Sequence, residues 1–231
     1  MKVGRIFTLF LSFGMLIFMA DGCSKDDSPT SPSTNSAMVM AVHASPDAPA
    51  VDILVDGVVA KSNLGFTENT PYLPVAVGTH NVKINVAGTS QTVLELPAVP
   101  VTAGLVSSVF AIGYAENLGI MLLLDDLTSP SAGKSKIRFL NLSPNAPAVD
   151  LTDTDGNILF GDVSFGDEVS DFDETDAGTY NTQVRQAGTS EVLLDGQNIT
   201  LTAGKIYTVF LEGIVGGEGA QTLGTTVIVN K

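Results

Sequence analysis

The sequence is poor in the side chains that most often carry protein chemistry. Its 231 residues include one cysteine, two histidines and no tryptophan. A lone cysteine forms no disulfide within the chain, and the sequence has no cluster of cysteine and histidine side chains for zinc. Sugar-binding surfaces depend on exposed tryptophan and tyrosine rings, and the chain has only four tyrosines. Because no disulfide can form within the chain, its stability must come from packed cores.

Positive charge is also scarce. Lysine and arginine together number 11, against 25 aspartate and glutamate residues, which gives a net charge of −14. Such a chain is repelled by nucleic acid and by anionic lipid headgroups, and it has no basic cluster that could neutralise phosphates. We therefore expect no nucleic-acid partner.

The two histidines, His43 and His80, are the obvious candidates for acid-base chemistry. A catalytic histidine must be held beside the group that it deprotonates, and the sequence offers no set of residues from which such roles can be assembled. We expect both histidines to be packed or exposed bystanders, with no catalytic residue and no enzyme activity.

One long apolar run is present, at residues 6–20, and Lys2 and Arg5 precede it. Its length is short for a membrane span but typical of a secretory signal peptide. The run ends just before Cys23, and this arrangement resembles a bacterial lipoprotein signal. The resemblance implies a signal peptide at 1–22 and an acylated Cys23 at the mature N-terminus, where 9 basic and 24 acidic residues would leave a net charge of −15.

Two residues before the cysteine depart from the lipoprotein pattern. Ala20 stands where Leu or Val is usual, and Asp21 stands where Ser or Ala is usual. The alternatives are an ordinary secretory signal with an incidental cysteine, or an uncleaved anchor. Lys25, Asp26 and Asp27 resemble the short signal that sends some lipoproteins to the outer face of the outer membrane, although any solvated tether can begin in this way.

The rest of the chain contains two copies of one sequence pattern. The octet "SPDAPAVD" at 45–52 returns as "SPNAPAVD" at 143–150, and "AGTS", "TAG" and "VF" recur in the same order 100 residues apart. Markers in constant order indicate tandem duplication. We predict a lipidated flexible tether at 23–37, a first repeat at 38–127, a linker at 128–135 that permits many inter-repeat angles, and a second repeat at 136–231.

The pattern within each copy is that of strands. Apolar and polar residues alternate in "THNVKINVAG" and in "TYNTQVRQAG", which indicates strands with one wet face. Asp56-Gly57 and Asp155-Gly156 lie between apolar runs and predict type I′ hairpins with positive φ at both central positions. We therefore predict an all-β fold with two tandem antiparallel β-sandwich domains of immunoglobulin-like or transthyretin-like shape.

The octets combine two prolines with an Asp or Asn, which is turn chemistry. We interpret them as structural corners, with a ligand loop as the alternative. The repeat-signature residues are Ser45, Pro46, Asp47, Pro49 and Asp52 in the first copy and Ser143, Pro144, Asn145, Pro147 and Asp150 in the second.

The first copy, with "VHASPDAPAVDILVDG", "LPVAVGTHNVKI" and "VPVTAGLVSSVFAIG", resembles the bacterial domain of unknown function 4397. The second copy keeps "NLSPNAPAVD", "DAGTYNTQV" and "LTAGKIYTVFLEG" but departs between these segments. The resemblance implies an extracytoplasmic β domain, and it brings no activity and no catalytic residue.

An acidic stretch without a basic residue sets the second copy apart. Clustered carboxylates could be relieved by Ca²⁺, which binds six to eight oxygen ligands, although acidic loops are more often simply solvated. The candidate ligands are Asp162, Asp167, Glu168, Asp171, Asp173, Glu174 and Asp176. Beyond this candidate calcium site, we expect no cofactor.

The sequence thus predicts an outer-membrane lipoprotein, lipid-anchored through Cys23 and displayed on the cell surface. Its expected role is that of a non-catalytic binding or spacer module with an envelope protein or a glycan as partner. The alternative is a calcium-dependent or carbohydrate-binding accessory lipoprotein.

Overall fold

The computed structural model describes residues 35–169 and 171–231. Cys23, Lys25, Asp26 and Asp27 lie outside the described residues, together with the segment predicted as a signal peptide. Within the described residues, no helix is long and apolar enough to cross a membrane.

Sixteen strands and two short 3-10 helices make up the described fold. The first repeat consists of β1 (Ser36–His43), β2 (Val51–Val55), β3 (Val58–Leu64), β4 (Leu73–Ala76), β5 (Gly78–Val86), β6 (Thr92–Val101), β7 (Val106–Ile112), a 3-10 turn (Ala115–Asn117) and β8 (Gly119–Leu124). The second repeat consists of β9 (Lys134–Asn141), β10 (Val149–Asp153), β11 (Ile158–Val163), β12 (Asp173–Asp176), β13 (Gly178–Gln186), β14 (Val192–Leu201), β15 (Ile206–Glu212), a 3-10 turn (Gly219–Gln221) and β16 (Gly224–Val229).

Each repeat contains two four-stranded sheets, and the strand order is the same in both. The inner sheets have the orders β4-β1-β7-β8 and β12-β9-β15-β16, and the outer sheets have the orders β3-β2-β5-β6 and β11-β10-β13-β14. We call them inner and outer because the two inner sheets pack against each other. The predicted all-β sandwich class is confirmed.

One strand pair in each inner sheet is parallel, although the sequence predicted antiparallel sheets. β1 pairs with β7, and β9 pairs with β15, in parallel register, while the other named pairs are antiparallel. A parallel pair needs a long crossover between its strands. Here the four outer strands, together with β4 in the first repeat and β12 in the second, provide that crossover. The first and next-to-last strands of each repeat therefore lie side by side.

The two predicted hairpin turns differ from each other. Asp56 and Gly57 have φ values of 51° and 80°, as the type I′ prediction requires. In the second repeat Gly156 has a φ of 89°, but Asp155 is not in the left-handed region, so this turn is not of type I′. The second repeat has one more residue here, and the Asp153 carboxylate holds the longer turn by accepting hydrogen bonds from Asn157.

A hydrophobic core joins the two inner sheets. Phe110 and Phe210, which occupy equivalent positions in the two repeats, meet edge to face with ring centroids 6.1 Å apart. The buried side chains of this core are Met40, Val42, Ala44, Phe110, Met121 and Leu123 from the first repeat and Leu140, Leu142, Phe210 and Ile228 from the second. Because equivalent residues contact each other, the interface resembles that of a two-fold symmetric dimer.

A polar network crosses the same interface. Arg138 and Asp125 form an ion pair of 2.7 Å in which both side chains are fully buried. Tyr72 and Ser108 donate to the other oxygen of Asp125, and Asn230 donates to the hydroxyl of Tyr72. Burial and the neighbouring carboxylate raise the pKa of Tyr72, which keeps its hydroxyl protonated as a donor.

The segment predicted as a flexible linker is held by side chains of the second repeat. β9 begins at Lys134, inside the predicted linker. The Lys136 ammonium donates to Asp126 and to Thr128. The hydrogen bond from Lys136, together with two from Thr128, lowers the pKa of Asp126 to about 2. The Lys231 ammonium donates to the carbonyl of Leu127. These bonds tie the connection to the second repeat.

Candidate functional site

The octets form corners between the first two strands of each repeat. In the first repeat the His43 ring nitrogen Nε2 lies 3.1 Å from the carbonyl oxygen of Pro49. In the second repeat the Asn141 amide donates to the carbonyl of Pro147, also at 3.1 Å. Two different side chains thus hold the same point of the corner, which supports the structural interpretation of the motif.

The aspartate that ends each octet braces three segments of its outer sheet. Asp52 accepts hydrogen bonds from the backbone of Asn63 at 2.8 Å and of Gly88 at 2.9 Å, and these bonds lower its pKa. Asp150 accepts the matching bonds from Asp162 and Gly188. The octet and the "AGTS" turn are therefore two parts of one structural device.

The third residue of each octet connects the corner to the loop that follows β7 in the first repeat and β15 in the second. Asp47 accepts a hydrogen bond of 2.7 Å from the backbone of Ala115. Asn145 accepts from the Val215 amide and donates to the Val215 carbonyl. The third and last residues of each octet thus use their side chains to hold the corner against neighbouring segments of the fold.

The predicted calcium ligands do not converge. Glu174 accepts from the Ser131 backbone, Asp176 pairs with Lys134 at 2.7 Å, and Asp167 accepts from the amide of Ser164. Glu168, Asp171 and Asp173 are exposed. Across residues 35–169 and 171–231, no three His, Cys, Asp or Glu side chains are grouped so that they could hold a metal ion.

The two histidines have opposite environments. His43 is buried, and burial lowers its pKa. The ring of His80 lies between the Asp56 carboxylate, at 2.7 Å, and the carbonyl of Ala76, at 2.8 Å, and these partners raise its pKa. Both rings are engaged with neighbouring groups, as expected for residues with structural roles.

A large apolar space lies between the two sheets of the first repeat. This space, which we call the cleft, has a volume of about 310 Å³. Its walls are mainly aliphatic and come from all eight strands of the repeat. Only a few polar side chains reach it, among them His43, His80, Thr102 and Ser107. Apolar walls with a few polar groups are typical of small-molecule binding sites.

The equivalent space in the second repeat is largely filled. Phe139 is fully buried there and occupies the position of Ala41 in the first repeat. Tyr207 and Leu211 are buried at the positions of Ser107 and Ala111. The remaining pocket has a volume of about 150 Å³ and includes acidic and hydroxyl side chains. Three small residues on β1 and β7 thus account for the cleft in physical terms.

The cleft has a closed end and an open end. The closed end lies beside the octet, where Val51, Leu64 and Ile84 are all at most 6% exposed. The open end lies where β1 begins, and there Leu105 and Leu124 are 41% and 49% exposed although they line the cleft. The opening extends along β8 to Leu122, which is 50% exposed. A molecule would therefore enter from the end at which the N-terminal segment joins the fold.

The cleft was not predicted from the sequence, although the alignment of the two repeats contains a signal for it. Ala41, Ser107 and Ala111 face Phe139, Tyr207 and Leu211 in that alignment. The edge strand differs as well, because β8 has Ile120, Leu122 and Leu124 where β16 has Thr225, Val227 and Val229. Smaller residues inside and larger apolar residues at the rim together indicate a cleft in the first repeat alone.

Comparison with known proteins gives one family. The family model described as a domain of unknown function (DUF4397) matches residues 37–152, just over half of the chain. The match begins at the second residue of β1 and ends within β10, so it includes the cleft and both octets. No curated protein matches the chain.

Proposed function

The chain belongs to the family described as a domain of unknown function (DUF4397), and within this family we propose that it is a non-catalytic binding module of the cell envelope. The lipid on Cys23 anchors it to the outer membrane, the signal of Lys25, Asp26 and Asp27 places it on the cell surface, and the first repeat binds a small apolar ligand in its cleft.

The cleft is the observation that carries this proposal. Protein interiors are normally packed as densely as organic crystals, and an unfilled space forfeits dispersion contacts along its walls. The second repeat fills the same space with aromatic rings, so the fold itself does not require the opening. A ligand that enters the cleft would gain roughly 0.8 kcal/mol for each methylene group that it buries.

The proposed anchor follows from the N-terminal sequence. Stable membrane attachment needs about two acyl chains, and a lipoprotein cysteine carries three according to the resemblance. The acidic character of the chain, with a net charge of −14, gives it no electrostatic attraction to anionic lipid, so the acyl chains alone would hold it at the membrane.

Ligand binding is tested with N-phenyl-1-naphthylamine, a neutral probe that fluoresces in apolar surroundings. The chain beginning at Cys23 is produced without acylation and titrated with the probe, and we expect saturable binding of one probe per chain. The variant Ser107→Tyr introduces the side chain of the second repeat into the cleft and should abolish binding. Its matched control is Ser190→Tyr, which makes the same change at an exposed turn.

The binding proposal fails if the unmodified chain gives no saturable signal, or if Ser107→Tyr and Ser190→Tyr bind the probe equally well. Circular dichroism and thermal unfolding of both variants establish that each is folded. If Ser107→Tyr does not fold, Ala111→Leu serves as the second filling variant, because Leu211 is already accommodated at the equivalent position.

Anchoring and placement are tested on cells. Mass spectrometry of the membrane fraction should find acyl groups on Cys23, and Cys23→Ser should abolish their attachment. An external protease should digest the protein on intact cells while it spares a periplasmic marker. An unmodified Cys23 would refute the anchor, and full protection from protease would refute surface display.

A further inference from the structure

We infer that the cleft of the first repeat holds one unbranched hydrocarbon chain, tail first, with an uncharged polar head group beside Ser107. This inference rests on the proposed function and names the class of ligand. It follows from the shape of the cleft, from the difference between its two ends, and from the charges that line it.

The shape of the cleft favours an extended chain over a bulky alicyclic ring, because a narrow slot admits a thin chain or a flat aromatic ring but not a thick ring. Its walls follow β1 from Ala37 to His43, a distance of roughly 20 Å at the usual rise per strand residue. A volume of about 310 Å³ spread over that length is a narrow slot. An apolar cavity of about 150 Å³ takes up one benzene ring, so the whole slot suits about a dozen carbon atoms in a row.

The difference between the two ends sets the direction of the chain. At the closed end, Val51, Leu64 and Ile84 form a buried apolar floor, and His43 is held by the octet. The side chains of Ser107, Thr102 and His80 lie toward the open end. A hydrocarbon tail fits the apolar floor, and a polar head group fits the end that is partly open to water.

Ser107 is the residue that would recognise the head group. It is only 6% exposed and lines the cleft, and the structure gives its hydroxyl no hydrogen-bond partner among the described residues. The Ser107 oxygen is not sealed inside the protein, so a ligand that enters the cleft can reach it and form a hydrogen bond. At the equivalent position in the second repeat, the Tyr207 hydroxyl accepts a bond from the backbone of Thr202.

The charges around the cleft select an uncharged head group. No Lys or Arg is among the described residues that line it. His80 is the one lining group with a raised pKa, and Asp56 already balances its charge at 2.7 Å. A carboxylate head would thus meet no free cation in a strongly acidic protein, and a buried unpaired charge is costly. A hydroxyl head group carries no such cost.

The class of ligand is tested by displacing N-phenyl-1-naphthylamine from the unacylated chain beginning at Cys23. For 1-alkanols of increasing length, affinity should rise roughly 4-fold per methylene up to about a dozen carbons and then level off. 1-Dodecanol should displace the probe at concentrations at least about 10-fold lower than cyclododecanol, which has the same number of carbons in a ring.

The head group is tested in the same assay. Dodecanoate at about pH 8 should bind at least about 10-fold more weakly than 1-dodecanol, because its charge would be buried without a partner. Ser107→Ala should weaken 1-dodecanol roughly 3- to 10-fold through the loss of one hydrogen bond. The control Ser190→Ala should leave the affinity unchanged.

The possible outcomes separate this inference from the proposed function. If the probe binds but cyclododecanol matches 1-dodecanol, the chain-shaped ligand is refuted and the binding module stands. If dodecanoate binds more tightly than 1-dodecanol, or Ser107→Ala has no effect, the uncharged head group at Ser107 is refuted. Absence of probe binding refutes the proposed function itself.

Discussion

The first and second repeats place their strands in the same order, yet they use the space between their sheets differently. The second repeat buries Phe139, Tyr207 and Leu211 there, whereas the first has Ala41, Ser107 and Ala111 at these positions. The octet aspartates and the "AGTS" turns are joined by the same hydrogen bonds in the two copies, although the hairpin turns after β2 and β10 differ. Turn chemistry therefore sets the strand order, while the interior is free to be filled or left open.

The inner sheets of the two repeats share one core, unlike the separate spaces inside each repeat. They are packed against each other, and the polar network is one of the differences between them. Arg138 lies at the position of Met40, and Asp125 lies at the position of Asn230. The interface thus contains one positive charge, on Arg138, and one negative charge, on Asp125, beside its apolar core. A buried ion pair adds little net stability but penalises the loss of either partner.

The largest effect is expected from opening the second repeat to match the first. Phe139→Ala should lower the free energy of unfolding by about 3–5 kcal/mol, because it removes a fully buried ring from a packed core. Urea unfolding followed by circular dichroism measures this change.

The reciprocal variant is the control. Ala41→Phe places the ring of the second repeat in the cleft and should raise the free energy of unfolding by about 0.5–2 kcal/mol, the usual range for filling a cavity. A loss of stability in Ala41→Phe would mean that the cleft cannot accept a ring, and it would contradict the account of the cleft as missing side chains.

A smaller effect is expected at the interface between the repeats. Asp125→Asn places an asparagine after β8, as Asn230 follows β16, and it keeps an oxygen that can accept hydrogen bonds. The substitution leaves the buried guanidinium of Arg138 without its counter-charge. We expect a loss of about 1.5–3 kcal/mol in the free energy of unfolding. Asp176→Asn removes a partner from the exposed pair with Lys134 and should cost much less, because solvent screens an exposed pair.

A double variant shows whether the loss comes from the unpaired charge. Asp125→Asn combined with Arg138→Met makes the positions in the two repeats uncharged, and it should be more stable than Asp125→Asn alone. A double-mutant cycle with the two single variants measures the coupling. If the effects of Asp125→Asn and Arg138→Met simply add, the ion pair is not the element that makes the interface sensitive.

Much of this architecture could be predicted from local sequence. The octets gave the corners, the alternation gave the strands, and Asp56-Gly57 gave the first hairpin turn. The parallel pairing of β1 with β7 could not be predicted in this way, because it depends on how the outer sheet folds over as a crossover. The predicted type of the second hairpin turn was wrong, because one additional residue in the second repeat changes the geometry of the turn.

The candidate site was harder to predict for a related reason. The recurring motif drew attention to the octets, whose residues serve the fold. The charge pattern of the second copy drew attention to the acidic stretch, whose described carboxylates do not converge. The cleft depends on the positions at which the copies differ, namely Ala41, Ser107 and Ala111. Small residues in a strand carry no signal by themselves, and they gain meaning only when the opposite sheet leaves their space empty.

The smallest expected effect concerns the pH dependence of the first repeat. His80 donates to the Ala76 carbonyl, and in the second repeat the Tyr180 hydroxyl donates to the equivalent carbonyl of Asp176. The Asp56 carboxylate and the carbonyl raise the pKa of His80 above its unfolded value of 6.5. The stability that this pair contributes is therefore fully present below the unfolded value and is lost as the pH rises through the folded value.

The other histidine acts in a different pH range. Burial lowers the pKa of His43, so its protonation opposes folding in acid, and this effect has ended once the pH exceeds its unfolded value of 6.5. Between about pH 7 and pH 9 the decline in urea midpoint should thus come from His80. His80→Tyr keeps a donor for the Ala76 carbonyl and should flatten the decline. An equal decline in the variant would show that the His80–Asp56 pair does not contribute, because the substitution removes the group that titrates near neutral pH.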